Sequence, residues 1–114
     1  MNKIELMGRL TADVELKKAE KKDGVSYARF SLAVPRKMVK DKTDFINCIA
    51  FGKLAETICK FCKKGQRIIV CGSLQIDTVE KEGNKVSYTS VIVNDFYFTE
   101  YNKDVAKSED ELPF

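Results

Sequence analysis

Apolar and polar residues alternate at a period of two along most of this chain, and the pattern changes once to a helical spacing. Ile4, Leu6, Gly8 and Leu10 alternate with Lys3, Glu5, Met7 and Arg9, predicting a half-buried first strand with charge on its outer face. Over 25–35, Ala28, Phe30, Leu32 and Val34 form an inward set and Tyr27, Arg29, Ser31 and Ala33 an outward one. Pro35 has no amide to give a ladder and closes this second strand. Over 43–51, Ile46, Cys48 and Ala50 make a compact apolar set suited to a barrel interior. Phe45, Asn47, Ile49 and Phe51 face the other way, an odd surface for solvent and a suitable one for a ligand. After Gly52, the residues Leu54, Ile58, Phe61 and Cys62 recur at helical spacing and predict a short helix with one buried stripe. Lys63, Lys64 and Gly65 are its end signals, cations near the negative end of the dipole and a glycine able to take the left-handed cap.

A fourth strand follows over 66–77, with Ile68, Val70, Gly72, Leu74 and Ile76 on one side and Ile69, Cys71, Ser73, Gln75 and Asp77 on the other. Gly72 marks a bend or a close backbone approach. Gly83-Asn84, within EKEGNK, reads as a hairpin turn into a weakly alternating fifth strand over 86–93. Its continuation over 95–101 sends Phe96 and Phe98 one way and Tyr97 the other. Between these elements, residues 11–23 run from Val14 and Leu16 into KKAEKKDG, a solvated turn. Its Lys17, Lys18, Lys21 and Lys22 either touch phosphate or simply keep the loop wet. Residues 36–42 place Arg36, Lys37, Lys40 and Lys42 around Met38 and Val39, the composition of either a plain hairpin loop or a cationic arm that folds over a nucleic-acid strand. Five short strands with one helix between the third and fourth outline an all-β OB-fold, a five-stranded Greek-key barrel. This domain takes residues 1–101; 102–114 show no period and are expected to be a disordered tail.

Charge sharpens that division. Residues 104–114 hold one Lys against four acids, whereas 1–103 hold 19 Lys plus Arg against 13 Asp plus Glu. A basic body with an acidic tip points to a polyanionic partner for the body. The tip, Glu109, Asp110, Glu111, Leu112, Pro113 and Phe114, has the form of a linear motif that fills an apolar pocket rimmed by basic groups. At 114 residues the chain can bury a core without staples. No apolar run approaches the ~20 residues of a membrane helix, and the N-terminus lacks signal-peptide features, so no membrane is expected and a cytoplasmic location is.

Cys59 and Cys62 form a C-x-x-C inside the predicted helix, and Cys48 and Cys71 lie in strands. The chain has no histidine, so a tetrahedral zinc site would need all four thiolates. Reduced, half-buried thiols are the simpler reading, and no metal or cofactor is expected. With no histidine, no phosphate-binding glycine loop, no paired carboxylates and no nucleophile elbow, nothing supports an enzyme.

NKIELMGRLTADVEL, YARFSLAV, TDFINCIAFGKLAE, KKGQRIIVCGSLQ and the terminal EDELPF together resemble the bacterial-type single-stranded DNA-binding protein family, in order and over about residues 2–101 before resuming at the tip. The resemblance implies an OB-fold homotetramer that wraps single-stranded DNA and shields it during replication, recombination and repair. It also implies recruitment of replication and repair proteins through the final Pro-Phe. On this sequence Phe45 and Phe51 fall where the family stacks aromatics on bases. Met38 falls where many members carry an aromatic, and Val79 at another such position. Two departures stand out: those two positions have no π-face, with no tryptophan anywhere, and only seven residues, 102–108, separate Tyr101 from the tip. Sequence-blind binding requires cations for phosphate and flat groups for bases. The phosphate candidates are Lys3, Arg9, Arg29, Lys53 and Lys85 on or beside strands and Arg36, Lys37, Lys40 and Lys42 on the arm, with Phe45, Phe51 and Met38 for the bases. Two rival classes remain, an OB-fold adaptor working mainly through protein contacts and a metal or redox module on Cys59 and Cys62.

Overall fold

The alternating segments pair into one sheet that closes on itself in the computed structural model, which describes residues 1–18 and 24–99. The elements are β1 (Ile4–Leu10), β2 (Lys17–Lys18), β3 (Ser26–Pro35), β4 (Thr43–Phe51), α1 (Gly52–Phe61), β5 (Arg67–Lys81) and β6 (Asn84–Phe98). Strand order is β1-β5-β6-β4-β3-β2, and an additional β1–β3 pairing shuts the barrel. All pairs are antiparallel except β4–β6, where Cys48 faces Val91 and Ile49 faces Ile92 in parallel. This is the expected OB-fold.

The count differs in one respect. A two-residue strand, Lys17 opposite Tyr27 and Lys18 opposite Ser26, lies in the segment read as a solvated turn. With it included, the helix follows the fourth strand rather than the third. Two exposed lysines carry no hydrophobic period, so nothing in the sequence announces the pairing.

The inward sets meet in a single core. Leu10, Ala28, Phe30, Leu32, Cys48, Ala50, Ile68, Val70, Val91, Val93 and Phe96 come from the strands, and α1 adds Ala55 and Ile58. Leu32 and Ile58 are fully buried, each worth about 1.5–3 kcal/mol relative to exposure. Gly52, at φ 64°, lets the chain turn from β4 directly into α1. The helix ends on Cys62, an extended C-cap whose N–H donates to the Ile58 carbonyl. Gly65 is therefore not the cap. It takes φ 84° in the turn into β5, where its N–H donates to the Leu10 carbonyl at 2.8 Å.

β5 and β6 run 15 residues each and outlast the barrel, forming a two-stranded ribbon. Their pairing shifts register at Cys71/Gly72, where the backbones approach so closely that a Cβ on Gly72 would overlap the Ile92 carbonyl. Beyond this point the inward parity no longer means burial: Leu74 and Ile76 are 39% and 59% exposed. The ribbon turns on Glu82 (φ 50°) and Gly83 (φ 81°), the two positive φ angles of a two-residue hairpin, one position before the expected Gly83-Asn84. No helix among the described residues is long and apolar enough to cross a membrane.

Gly72→Ala should lower unfolding stability by at least about 2 kcal/mol, because backbone and not a flexible side chain must yield. Urea denaturation measures this, and an unchanged midpoint would contradict the close approach. Glu82→Asn should raise unfolding stability by about 0.5 kcal/mol, and so move the same midpoint upward, since Asn tolerates the left-handed region better than Glu.

Candidate nucleic-acid interface

Alternation decides which β4 side chains leave the barrel. Cys48 and Ala50 turn inward, while Phe45 and Phe51 stand 68% and 48% exposed, with Asn47 and Ile49 between them. On β3 the register sets Tyr27 opposite Phe51, Arg29 opposite Ile49, Ser31 opposite Asn47 and Ala33 opposite Phe45. On the other side Ile92 of β6 meets Ile49. The same outward parity continues along β6 to Ser90 and Tyr88, and across to Ser73, Gln75, Asp77 and Val79 of β5. The β3–β4 face and the ribbon thus enclose an open groove of ≈ 890 Å³, lined among others by Arg29, Asn47, Phe51, Gln75, Val79 and Tyr88.

Phe51 is in this groove. Phe45 shares its face but stands six residues along the strand, roughly 20 Å away at about 3.3 Å per residue, toward the 36–42 arm. Met38, at the arm, is 90% exposed. Phe45, Phe51 and Met38 thus gain little from burial within this chain.

The cations divide. Arg29 lines the groove, its guanidinium 5.9 Å from the Tyr27 ring centroid. Lys37, Lys40 and Lys42 are exposed on the arm, and Lys53 is exposed in the first turn of α1, directly after Phe51 and Gly52. Arg36 is engaged elsewhere: its Nε donates to Asp44 Oδ1 and Oδ2 at 3.2 and 3.1 Å, and its Nη2 to Oδ1 at 3.0 Å. Those hydrogen bonds hold the Asp44 carboxyl below its ordinary value and raise the guanidinium. Together with the bond from the Arg36 N–H to the Lys42 carbonyl at 2.9 Å, they tie the base of the arm. Arg9 donates to the Gly65 carbonyl at 2.8 Å, and Lys3 lies 3.4 Å from Glu5 on the far side of the barrel. Lys85 pairs with Glu80, which places it on the ribbon face opposite the groove. The tip, residues 109–114, and Lys21 and Lys22 lie outside the described residues.

Sequence reasoning put Asn47 on the ligand face but gave no role to Tyr27, Tyr88 or Lys81. Tyr27 and Asn47 sit on strands whose parity was legible. Tyr88 sits where alternation is weak, and only counting back from the buried Val91 and Val93 reveals its outward direction.

The four cysteines are buried or half-buried. All four are free thiols, and burial pushes Cys48 and Cys62 up to about 12, with Cys59 adding to the effect at Cys62. Burial raises Cys59 as well. No group of three or more potential metal ligands occurs among the described residues.

A family model described as the single-strand binding protein family matches residues 1–99. The chain belongs to that family. Among members with similar sequences, the single-stranded DNA-binding protein of Clostridium perfringens (strain 13 / Type A) is 46% identical over 99 residues, covering 86% of this chain but only 65% of its own length. Single-stranded DNA-binding protein 1 of Streptococcus pyogenes serotype M18 is 35% identical over 121 residues, covering 99% and 92% of the two chains. Among solved structures, a Plasmodium falciparum SSB in complex with ssDNA superposes with a TM-score of 0.75 at 29% identity, over 88% of this chain and 96% of that one. The family assignment spans all the strands that build the groove.

In Arg36→Gln the Asp44 carboxyl should titrate at a higher pH than in the parent chain, because the hydrogen bonds holding it down are gone. The sign follows from linkage: a depressed folded-state value means the pair stabilises the fold above the unfolded carboxyl pKa and loses that contribution as pH falls through the folded value. Carboxyl-carbon NMR titration reads it, and identical curves would show that the ion pair does not persist in solution.

Proposed function

We propose that this protein binds single-stranded DNA without regard to sequence and shields it during replication, recombination and repair. The observation that carries this reading is the outer face of β4 with its groove, where Phe45 and Phe51 stay exposed beside Arg29, Lys53 and the lysines of the arm. Aromatic faces accept any base, at about 1–3 kcal/mol per stacked base, and cations accept any phosphate. The named relatives and the ssDNA complex of the Plasmodium falciparum neighbour support the same reading. The binding is stoichiometric, without catalysis or cofactor, and the protein acts in the cytoplasm.

The acidic tip, Glu109 to Phe114, recruits replication and repair enzymes to the coated strand. The functional unit is a homo-oligomer, taken as a tetramer. Two features support self-association. β1 meets β3 only at Arg9 and Leu10, leaving the edge of residues 4–7 on that side uncovered by any described strand. Met7 and Tyr97, 50% and 46% exposed, flank Ile69 on the outer face of β1, β5 and β6.

Fluorescence anisotropy of labelled oligothymidine, across salt and against a duplex of equal length, tests the main claim. Tight, salt-weakened binding to the single strand with little duplex binding is expected. Phe45→Ala and Phe51→Ala should each cost about 1–3 kcal/mol of that affinity. Equal, weak binding to both forms would favour an adaptor acting through protein contacts. Deleting residues 109–114 should leave single-strand affinity intact or raised, since an acidic segment competes with DNA for the basic face.

A further inference from the structure

The groove side of the ribbon carries chemistry of its own, apart from Phe51 and Arg29 on the facing wall. Tyr88 is 47% exposed, lines the groove with Phe51 and Arg29, and is the one aromatic on the groove face of the described ribbon. Lys81 belongs to that same face, because Lys81 pairs with Asn84, Val79 with Val86 and Asp77 with Tyr88. The Lys81 Nζ donates to the Tyr88 hydroxyl at 3.0 Å while lying 5.5 Å from the ring centroid. Those two distances put the ammonium beyond the hydroxyl end of the ring, so it steadies the side chain without covering its faces. Asp77, directly across from Tyr88 and receiving a hydrogen bond from Gln75 Nε2 at 3.0 Å, places a carboxylate on the groove wall. A phosphate is turned away from that carboxylate and a neutral base is not.

We propose that Tyr88 is a base-stacking platform of the groove and that Lys81 contacts the phosphate beside it, so that the ribbon grips the strand from the wall facing Phe51. This rests on the single-strand-binding reading above and adds its second jaw. A stacked base keeps the Tyr88 ring in contact with a π-face, and the neighbouring phosphate meets Lys81 at the ribbon's tip. Lys85, on the opposite face, plays no part. An unpaired base reaches the ring; a base held inside a duplex does not, so the platform also contributes to preference for single strands.

The test uses the full chain, oligothymidine as probe, and the variants Tyr88→Leu, Tyr88→Phe, Lys81→Gln and Lys85→Gln. Tyr88→Leu should weaken binding about tenfold, and Tyr88→Phe should bind within about twofold of the parent. The chain has 4 Tyr and no Trp, so its intrinsic fluorescence is tyrosine emission, and the part quenched by DNA should shrink in Tyr88→Phe although affinity is kept. Lys81→Gln should reduce the slope of log K against log salt by about 0.7, and Lys85→Gln should leave it unchanged. If Tyr88→Leu binds like the parent while Phe51→Ala is impaired, or if quenching is the same in Tyr88→Phe, the platform is wrong and the DNA-binding reading stands. A parent chain with no preference for single strands would remove that reading itself. Should Tyr88→Leu fold poorly by circular dichroism, the Tyr88→Phe quenching result still decides.

Discussion

Each residue of a closed barrel strand has two fates, inside or outside, and in β4 this division sets up the rest of the molecule. Cys48 and Ala50 turn in, and their small volumes let Phe30 and Val91 share the interior with them. The closure that seals them inside forces Phe45, Asn47, Ile49 and Phe51 onto one outer stripe. Burying a phenylalanine is worth about 1.5–3 kcal/mol, so two left exposed on a single stripe forgo stability that the chain regains only if something covers them. Single-stranded DNA is the covering that the proposed function supplies.

The second dependence is on the length of β5 and β6. Had both strands ended with the barrel, the β4 stripe would be a flat surface. Because they continue as a ribbon through Lys81 and Asn84, the stripe becomes one wall of a groove and Tyr88 comes to stand on the other. The bulge at Gly72 is the hinge of this arrangement, with the backbones of β5 and β6 too close for any side chain. Electrostatics adds a graded layer. Arg29 and the lysines of the arm are exposed and screened beyond about 10 Å at 0.1 M salt, so they act on a polyanion at short range. Arg36 is withheld by Asp44, which makes it a brace for the arm in the unbound chain.

Much of this is legible in the residues. The inward and outward sets of β3 and β4, the stripe of α1, and the special position of Gly72 follow from period and residue type, and all recur in the structure. What is not legible depends on long-range geometry. Leu74 and Ile76 continue the inward parity of Ile68 and Val70, yet stand in solvent because a sequence does not say where the facing sheet ends. Lys85 is a phosphate candidate by sequence, but its pairing with Glu80 puts it on the ribbon face opposite the groove, and the weak alternation after Val86 hides both that and the direction of Tyr88. The Arg36–Asp44 pair forms across a hairpin whose geometry no spacing rule specifies. The β2 pairing involves two lysines with no hydrophobic signal at all.

The central claim is that the outer face of β4 and the groove beside it hold the strand. Ultraviolet cross-linking of oligothymidine to the full chain, followed by mass-spectrometric location of the modified residues, tests it most directly. The account predicts adducts on Phe45, Phe51 and Tyr88 and none on Met7 or Tyr97. Adducts concentrated on the β1, β5 and β6 face around Met7 and Tyr97 would contradict it, and would move the nucleic-acid interface to the opposite side of the barrel.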